Sequence, residues 1–154
     1  MAKVASESEV VCTQIVYPDD TNPMGILNGG RIIEWMDTSC AICAQLHTGL
    51  ICVSAAIDGV SFARPAKLGD IISVQAKVTR AFRRSLEIRT QAEVIEASTA
   101  RRVFITEAYF TFVTADREVE TITEVRAETP EEKLQYEEAE RRRKLRQSAR
   151  APGS

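Results

Sequence analysis

An apolar helical pattern followed directly by four long strand patterns limits what this chain can fold into more than any other feature. From Arg31 to His47 the sequence reads RIIEWMDTSCAICAQLH, where Ile33, Met36, Cys40, Cys43, Ala44 and His47 recur at three- and four-residue steps, the period of a helix that buries a stripe. Polar positions are few on every side of it, so the helix is expected to be wrapped on most faces. Gly49 marks its end. Residues 52–63, 71–82, 84–97 and 102–115 then read as strands. In the second of these, Ile72, Val74, Ala76 and Val78 alternate with Ser73, Gln75, Lys77 and Thr79; in the third, Leu86, Ile88, Ala92 and Val94 face away from Glu87, Arg89, Gln91 and Glu93. Strands of this length exceed the usual five or so residues and predict a strongly curved antiparallel sheet.

Upstream, residues 9–17 (EVVCTQIVY) are rich in Val, Ile and Thr and stop at Pro18, which predicts a first strand. The order strand, long loop, apolar helix and four strands predicts an α+β fold in which one sheet of about five strands wraps around one helix. A single helix covers only part of such a sheet. Its free edges and faces are therefore expected to meet another subunit, giving a homo-oligomer.

Composition sets the outer bounds. With 154 residues, 44% of them hydrophobic, the chain suits one domain with a tail, read here as a domain over residues 1–128, a charged helix over 129–147 and a disordered tail over 148–154. Thr129-Pro130-Glu131-Glu132 combines an N-cap, a proline at the first helical position and a capping-box glutamate. Glu137 with Arg141, Glu138 with Arg142 and Glu140 with Lys144 place acid before base at i, i+4. The pattern predicts a solvated helix, with packing on a neighbouring subunit as the alternative.

Twenty Lys and Arg against 22 Asp and Glu leave a formal charge of -2, which provides no general field for nucleic acid or an anionic membrane. Any anion site must be local. The first residues lack a signal-peptide apolar region and no stretch is long enough to span a bilayer, so a cytoplasmic protein is expected. Cys40 and Cys43 form a CxxC, but one histidine and no second CxxC do not complete a tetrahedral metal site. The cysteines read as small core residues, and no metal is expected.

Asp37 stands out because it projects from the stripe that should be buried, where an unpaired carboxylate is costly. A catalytic base and an ordinary hydrogen-bonded or dimer-buried aspartate are both open at this point. The loop before the helix, PDDTNPMGILNGG over residues 18–30, is long for a connector. Asn28-Gly29-Gly30 closes it, and backbone N–H groups left free at a helix start can hold a developing oxyanion. A tight turn into the helix is the plainer reading of the two glycines. His47 is read as a capping or core residue.

Pro18-Asp19-Asp20-Thr21-Asn22, Gly25, Gly29-Gly30, Trp35-Met36-Asp37, Phe62 with Pro65, Gly69-Asp70 and Phe110-Thr111-Phe112-Val113 together resemble the cytosolic acyl-CoA thioesterases of the hotdog fold, the group that includes brain-type acyl-CoA hydrolase. The resemblance runs over about residues 9–146. It implies hydrolysis of fatty acyl-CoA to a free acid and coenzyme A, with Asp37 as general base or nucleophile, Asn22 completing the site, and N–H groups at Gly29 and Gly30 on the oxyanion. It also implies a site shared across a dimer, Asn22 of one chain facing Asp37 of the other, and trimers of dimers. No cofactor is implied, since coenzyme A is part of the substrate. Many relatives carry His or Phe where Asn28 stands, which leaves the part of Asn28 in polarising the carbonyl open. Coenzyme A brings phosphates, for which Arg84 and Ser85, then Arg83, Arg64 and Arg80, are the candidates. A non-catalytic acyl-CoA sensor and a hotdog hydratase or dehydratase are the alternatives; the latter would need a histidine paired with an acid, for which His47 is poorly placed.

Overall fold

The computed structural model describes residues 2–150. Its central helix, α1 (Gly29–Thr48), starts two residues earlier than the apolar pattern because Asn28 caps it: the side-chain oxygen of Asn28 accepts the Gly30 N–H at 3.0 Å. It ends at Gly49, whose left-handed backbone (φ 72°) lets its N–H close on the Gln45 carbonyl, a conformation glycine adopts without steric penalty. The buried stripe of α1 is Ile32, Met36, Ser39, Cys40, Cys43, Ala44 and His47. It keeps Met36, Cys40, Cys43, Ala44 and His47 of the predicted face, with Ile32 in place of Ile33 at its start and Ser39 added.

Around α1 wraps a sheet of β2 (Val10–Ile15), β3 (Cys52–Phe62), β4 (Ile71–Ala81), β5 (Ser85–Ile95) and β6 (Arg102–Thr114), in the order β2-β4-β5-β6-β3 with every neighbour antiparallel. Ile72, Val74, Ala76 and Val78 of β4 and Leu86, Ile88 and Ala92 of β5 face the helix and are buried. Each large aliphatic side chain buried this way contributes roughly 1.5–3 kcal/mol. Irregular register between Ser54 and Ala56, Asp58 and Ser61, Val78 and Arg80, and Ala92 and Glu93 bends the long strands around α1. The predicted curved five-stranded sheet around one helix is the observed fold.

A second sheet escaped the sequence reading. β1 (Ala2–Val4) pairs in parallel with β7 (Glu124–Arg126), each too short to show alternation.

The solvated C-terminal helix is corrected by the structure. α2 (Pro130–Ala149), capped by the expected Thr129–Glu132 box, lies on the outer face of its own sheet. Lys77 reaches Glu132 at 2.5 Å, Arg89 reaches Glu131 at 2.8 Å, and Arg146 reaches Asp58 at 2.8 Å. The helix covers polar outer-face positions, so Thr79 and Glu87 are buried although they alternate with the core residues. Of the predicted acid-base pairs within α2, Glu138 with Arg142 forms at 3.6 Å. α2 also takes in Ser148 and Ala149, which the tail reading had excluded, while residues 151–154 lie outside the described ones. Among the described residues, no helix is long and apolar enough to cross a membrane.

Candidate active site

The loop entering α1 is ordered by its own polar groups. Tyr17 N–H donates to Asp20 Oδ2 at 2.9 Å, Asp20 Oδ1 pairs with Arg31 at 3.2 Å, and the Asn28 N–H donates to the Asp20 carbonyl at 2.8 Å. Asp20 thus ties the loop to the first turn of the helix. Further along, Asn22 Oδ1 accepts from Met24 N–H at 2.9 Å and Ile26 N–H at 3.3 Å. Its side-chain oxygen is spent inside the loop, and its NH2 group remains as a donor. The loop tip carries Met24, 78% exposed.

At the helix start the two glycines differ. Gly30 N–H is taken by Asn28 Oδ1, and Arg31 and Ile32 N–H both close on the Asn28 carbonyl. Among the described residues, Gly29 N–H meets no acceptor. Of the two N–H groups expected as oxyanion donors, Gly29's is uncommitted among the described residues and Gly30's is bonded to Asn28, which serves as the helix cap. Two turns on, Asp37 is half-buried, and its Oδ1 is buried with no hydrogen-bond partner among the described residues. A carboxylate oxygen left without a partner is a group that folding alone does not explain.

Cys40, Cys43 and His47 of α1 belong to the core. Burial pushes the Cys43 thiol up to about 12 and the Cys40 thiol well above its ordinary value, so neither is a thiolate nucleophile. Burial also lowers the pKa of His47, although its Nε2 lies 3.0 Å from the Thr123 carbonyl. Nε2–H must donate to that carbonyl, so His47 fastens the approach to β7 onto the far end of α1, as a core residue. Among the described residues, no three His, Cys, Asp or Glu cluster in a way that could hold a metal.

The candidate phosphate-binding residues fall at two ends of the sheet. Arg64 lies just beyond Phe62, at the Gly29 end, exposed and without an ion pair to the described residues. Ser85, at the β4–β5 turn, is level with Val113 of β6 and so with Val53 of β3, whereas Phe62 is level with Thr106. Seven residues of β6 separate these levels, roughly 23 Å. At the turn, Arg84 donates to the Asp116 carbonyl at 3.0 Å and to the Val119 carbonyl, which ties down the loop after β6. Arg80 stacks on Tyr136, 4.2 Å from the ring centre, and Arg83 is exposed. One protomer does not bring this turn to its own Gly29.

Comparison with known proteins places this geometry. Residues 24–96 match the model of the Thioesterase superfamily. The chain is 33% identical over 148 residues to an acetyl-coenzyme A thioesterase of Mus musculus, covering 95% of this chain and 27% of that protein; it spans about a quarter of the length of the first such relatives. An acyl-CoA hydrolase from Staphylococcus aureus, solved with butyryl coenzyme A, coenzyme A and coenzyme A disulfide, superposes with a TM-score of 0.91 at 32% identity over 97% of this chain and 93% of that one. The chain belongs to the thioesterase superfamily.

As a hotdog thioesterase-superfamily domain it also matches an apo-hexameric acyl-CoA thioesterase, TM-score 0.91 at 30% identity over 98% of each chain. The S. aureus enzyme has been solved as alanine mutants of an asparagine, an aspartate and a threonine. Fifteen residues separate that asparagine from that aspartate, the interval from Asn22 to Asp37 in this superfamily member. Its threonine follows the aspartate by seventeen, the interval from Asp37 to Ser54. Ser54 is exposed on the free edge strand β3, beside an irregularity in its register. The sequence reading did not single it out, since one serine in a strand pattern carries no signal of its own.

Proposed function

We propose that this chain hydrolyses acyl-CoA thioesters to a free acid and coenzyme A. Asp37 acts as the general base on water or as the attacking carboxylate, and Gly29 N–H holds the developing oxyanion. The observation that carries this reading is the buried Oδ1 of Asp37, unpartnered among the described residues. Eight residues of helix, roughly 12 Å, separate it from Gly29 of its own chain, so the uncommitted donor it works with is Gly29 N–H of the facing chain. Attack on the carbonyl carbon forms an oxyanion. With water as nucleophile, Asp37 takes its proton, the oxyanion collapses with cleavage of the carbon–sulfur bond, and that proton passes to the departing thiolate. With Asp37 as nucleophile, collapse leaves a mixed anhydride that water then hydrolyses, giving the free acid, restoring the carboxylate and supplying the thiolate's proton. No cofactor enters this chemistry.

The site is completed by a second copy of the chain. Among the described residues β3 has no strand partner on its outer side, and Val53, Ile57 and Phe62 are exposed along it, a surface that favours strand pairing. Two copies pairing antiparallel along β3 would carry the basic turn and Ser54 of each towards the Gly29 end of the other. That arrangement supports a shared site in which Asn22 of one chain faces Asp37 of its partner. Arg80, Arg83, Arg84 and Ser85 would then meet the nucleotide from across the dimer, with Arg64 on the near side. Likeness to a hexameric thioesterase supports a trimer of dimers, and the absence of a spanning helix among the described residues is consistent with a cytoplasmic enzyme.

A hydrolysis panel from acetyl-CoA to palmitoyl-CoA, run on the parent chain and on Asp37→Ala, tests the reading. Turnover that Asp37→Ala abolishes while the oligomer survives supports it; full activity in the variant overturns it.

A further inference from the structure

Glycine at position 29 needs a reason. It occupies the first position of α1, its φ is not among the positive ones, and alanine is favoured over glycine in a helix by up to about 1 kcal/mol. Backbone conformation therefore does not require glycine there. Space favours it: a Cβ at residue 29 would stand 3.2 Å from Cζ and 3.4 Å from Cε2 of Phe62, tight enough that the ring would have to give by a few tenths of an ångström. At Gly30 a Cβ would meet Asn28 Oδ1 at an ordinary 3.5 Å.

The ring cannot retreat with its strand. Phe62 pairs with Thr106 across β3 and β6, Thr106 Oγ1 donates to the Ser61 carbonyl at 2.6 Å, and Ala63 N–H donates to the Ile105 carbonyl at 2.7 Å. The end of β3 is fastened on both sides of Phe62. Yet Phe62 is not a core residue, since 47% of it is exposed. An aromatic ring that leans on the helix start with one part and opens to solvent with another forms a wall.

What it walls is the residue bearing the one uncommitted N–H of the helix start. We infer that Phe62 is a positioning residue for hydrolysis: its ring closes one side of the Gly29 donor, fixing the angle from which a thioester carbonyl reaches the N–H and excluding water from that side. The glycine and the phenylalanine are one device, the first leaving the space that the second fills. This inference rests on the proposed thioesterase reading.

The test is a double-mutant cycle on Phe62→Ala and Gly29→Ala in the full chain, with kcat and KM measured for a short acyl-CoA and the oligomer checked by light scattering. Phe62→Ala is expected to lower kcat ten- to a hundredfold, with KM changing far less, because a small misplacement of the carbonyl costs rate at this scale. Gly29→Ala is expected to lower kcat similarly by pushing the ring away. The double variant should be no slower than Phe62→Ala, because the added methyl occupies the vacated space. Should Phe62→Ala dissociate the oligomer, Phe62→Leu replaces it in the same cycle, with the same expected lack of additivity. An active parent whose kcat ignores the change at Phe62, or losses that multiply in the double variant, overturns the inference alone. A parent that hydrolyses no acyl-CoA overturns the reading beneath it.

Discussion

Arg142 grips both carboxylate oxygens of Glu87, Nε to Oε2 at 2.9 Å and Nη2 to Oε1 at 2.8 Å, at a glutamate with 0% exposure. Thr79 Oγ1 adds a third hydrogen bond at 2.5 Å, and the guanidinium stacks on Tyr109, 3.8 Å from the ring centre. This buried pair joins α2 to β5. Removing Arg142 leaves the buried Glu87 carboxylate with only the Thr79 hydroxyl and Arg146 at 3.9 Å, so Arg142→Met is expected to destabilise the fold by up to about 3–5 kcal/mol. Pairing it with Glu87→Met should recover much of the loss, because a matched apolar pair leaves no buried charge. Urea unfolding midpoints of the two variants check this; equal midpoints would show that the pair is not coupled.

Asp37→Ala is expected to lower turnover of a short acyl-CoA by about 10²–10⁴-fold, the range for loss of a positioned acid or base. Because Oδ1 of Asp37 has no partner among the described residues to lose, thermal stability should stay the same or rise. Calorimetry on the same sample separates lost chemistry from lost folding.

Mixing Asn22→Ala with Asp37→Ala subunits should restore activity if each site draws one residue from each chain. In a two-fold dimer that contains one of each variant, one of the two sites is wholly intact. Random exchange then returns about a quarter of the parent sites. Verified mixed dimers with no activity would refute a shared site.

His47 should make stability depend on pH. Burial holds its folded pKa below the ordinary 6.5, so the unfolded chain binds a proton more readily than the folded one. Its contribution is complete above pH 6.5 and is lost as the pH falls from there towards the folded value. His47→Gln, which keeps a donor for the Thr123 carbonyl, should flatten the melting temperature across that window relative to the parent.

The helix and the five strands of the main sheet were legible because their periods persist over many residues: β4 and β5 end within two residues of their predicted limits. β1 and β7 were illegible, since three residues carry no period. α2 was read correctly as a capped helix, but its charged surface concealed its docking, because the partners of Arg142, Arg146 and Glu132 sit on distant strands. At the site, the position of Asp37 was visible as an acid within an apolar stripe. The unequal duties of Gly29 and Gly30 were not, since only the Asn28 rotamer decides which N–H is consumed.

The parallel pairing of Ala2–Val4 with Glu124–Arg126 bears on the order in which the molecule assembles. Its two strands are separated by the whole of the main sheet and α1, so the loop-closure entropy favours its formation only after the intervening chain has folded. During synthesis β1 emerges well before β7 and must wait for it to find its partner. Backbone amides of Lys3 and Val4 should accordingly gain protection from solvent exchange later than those of β4 and β5.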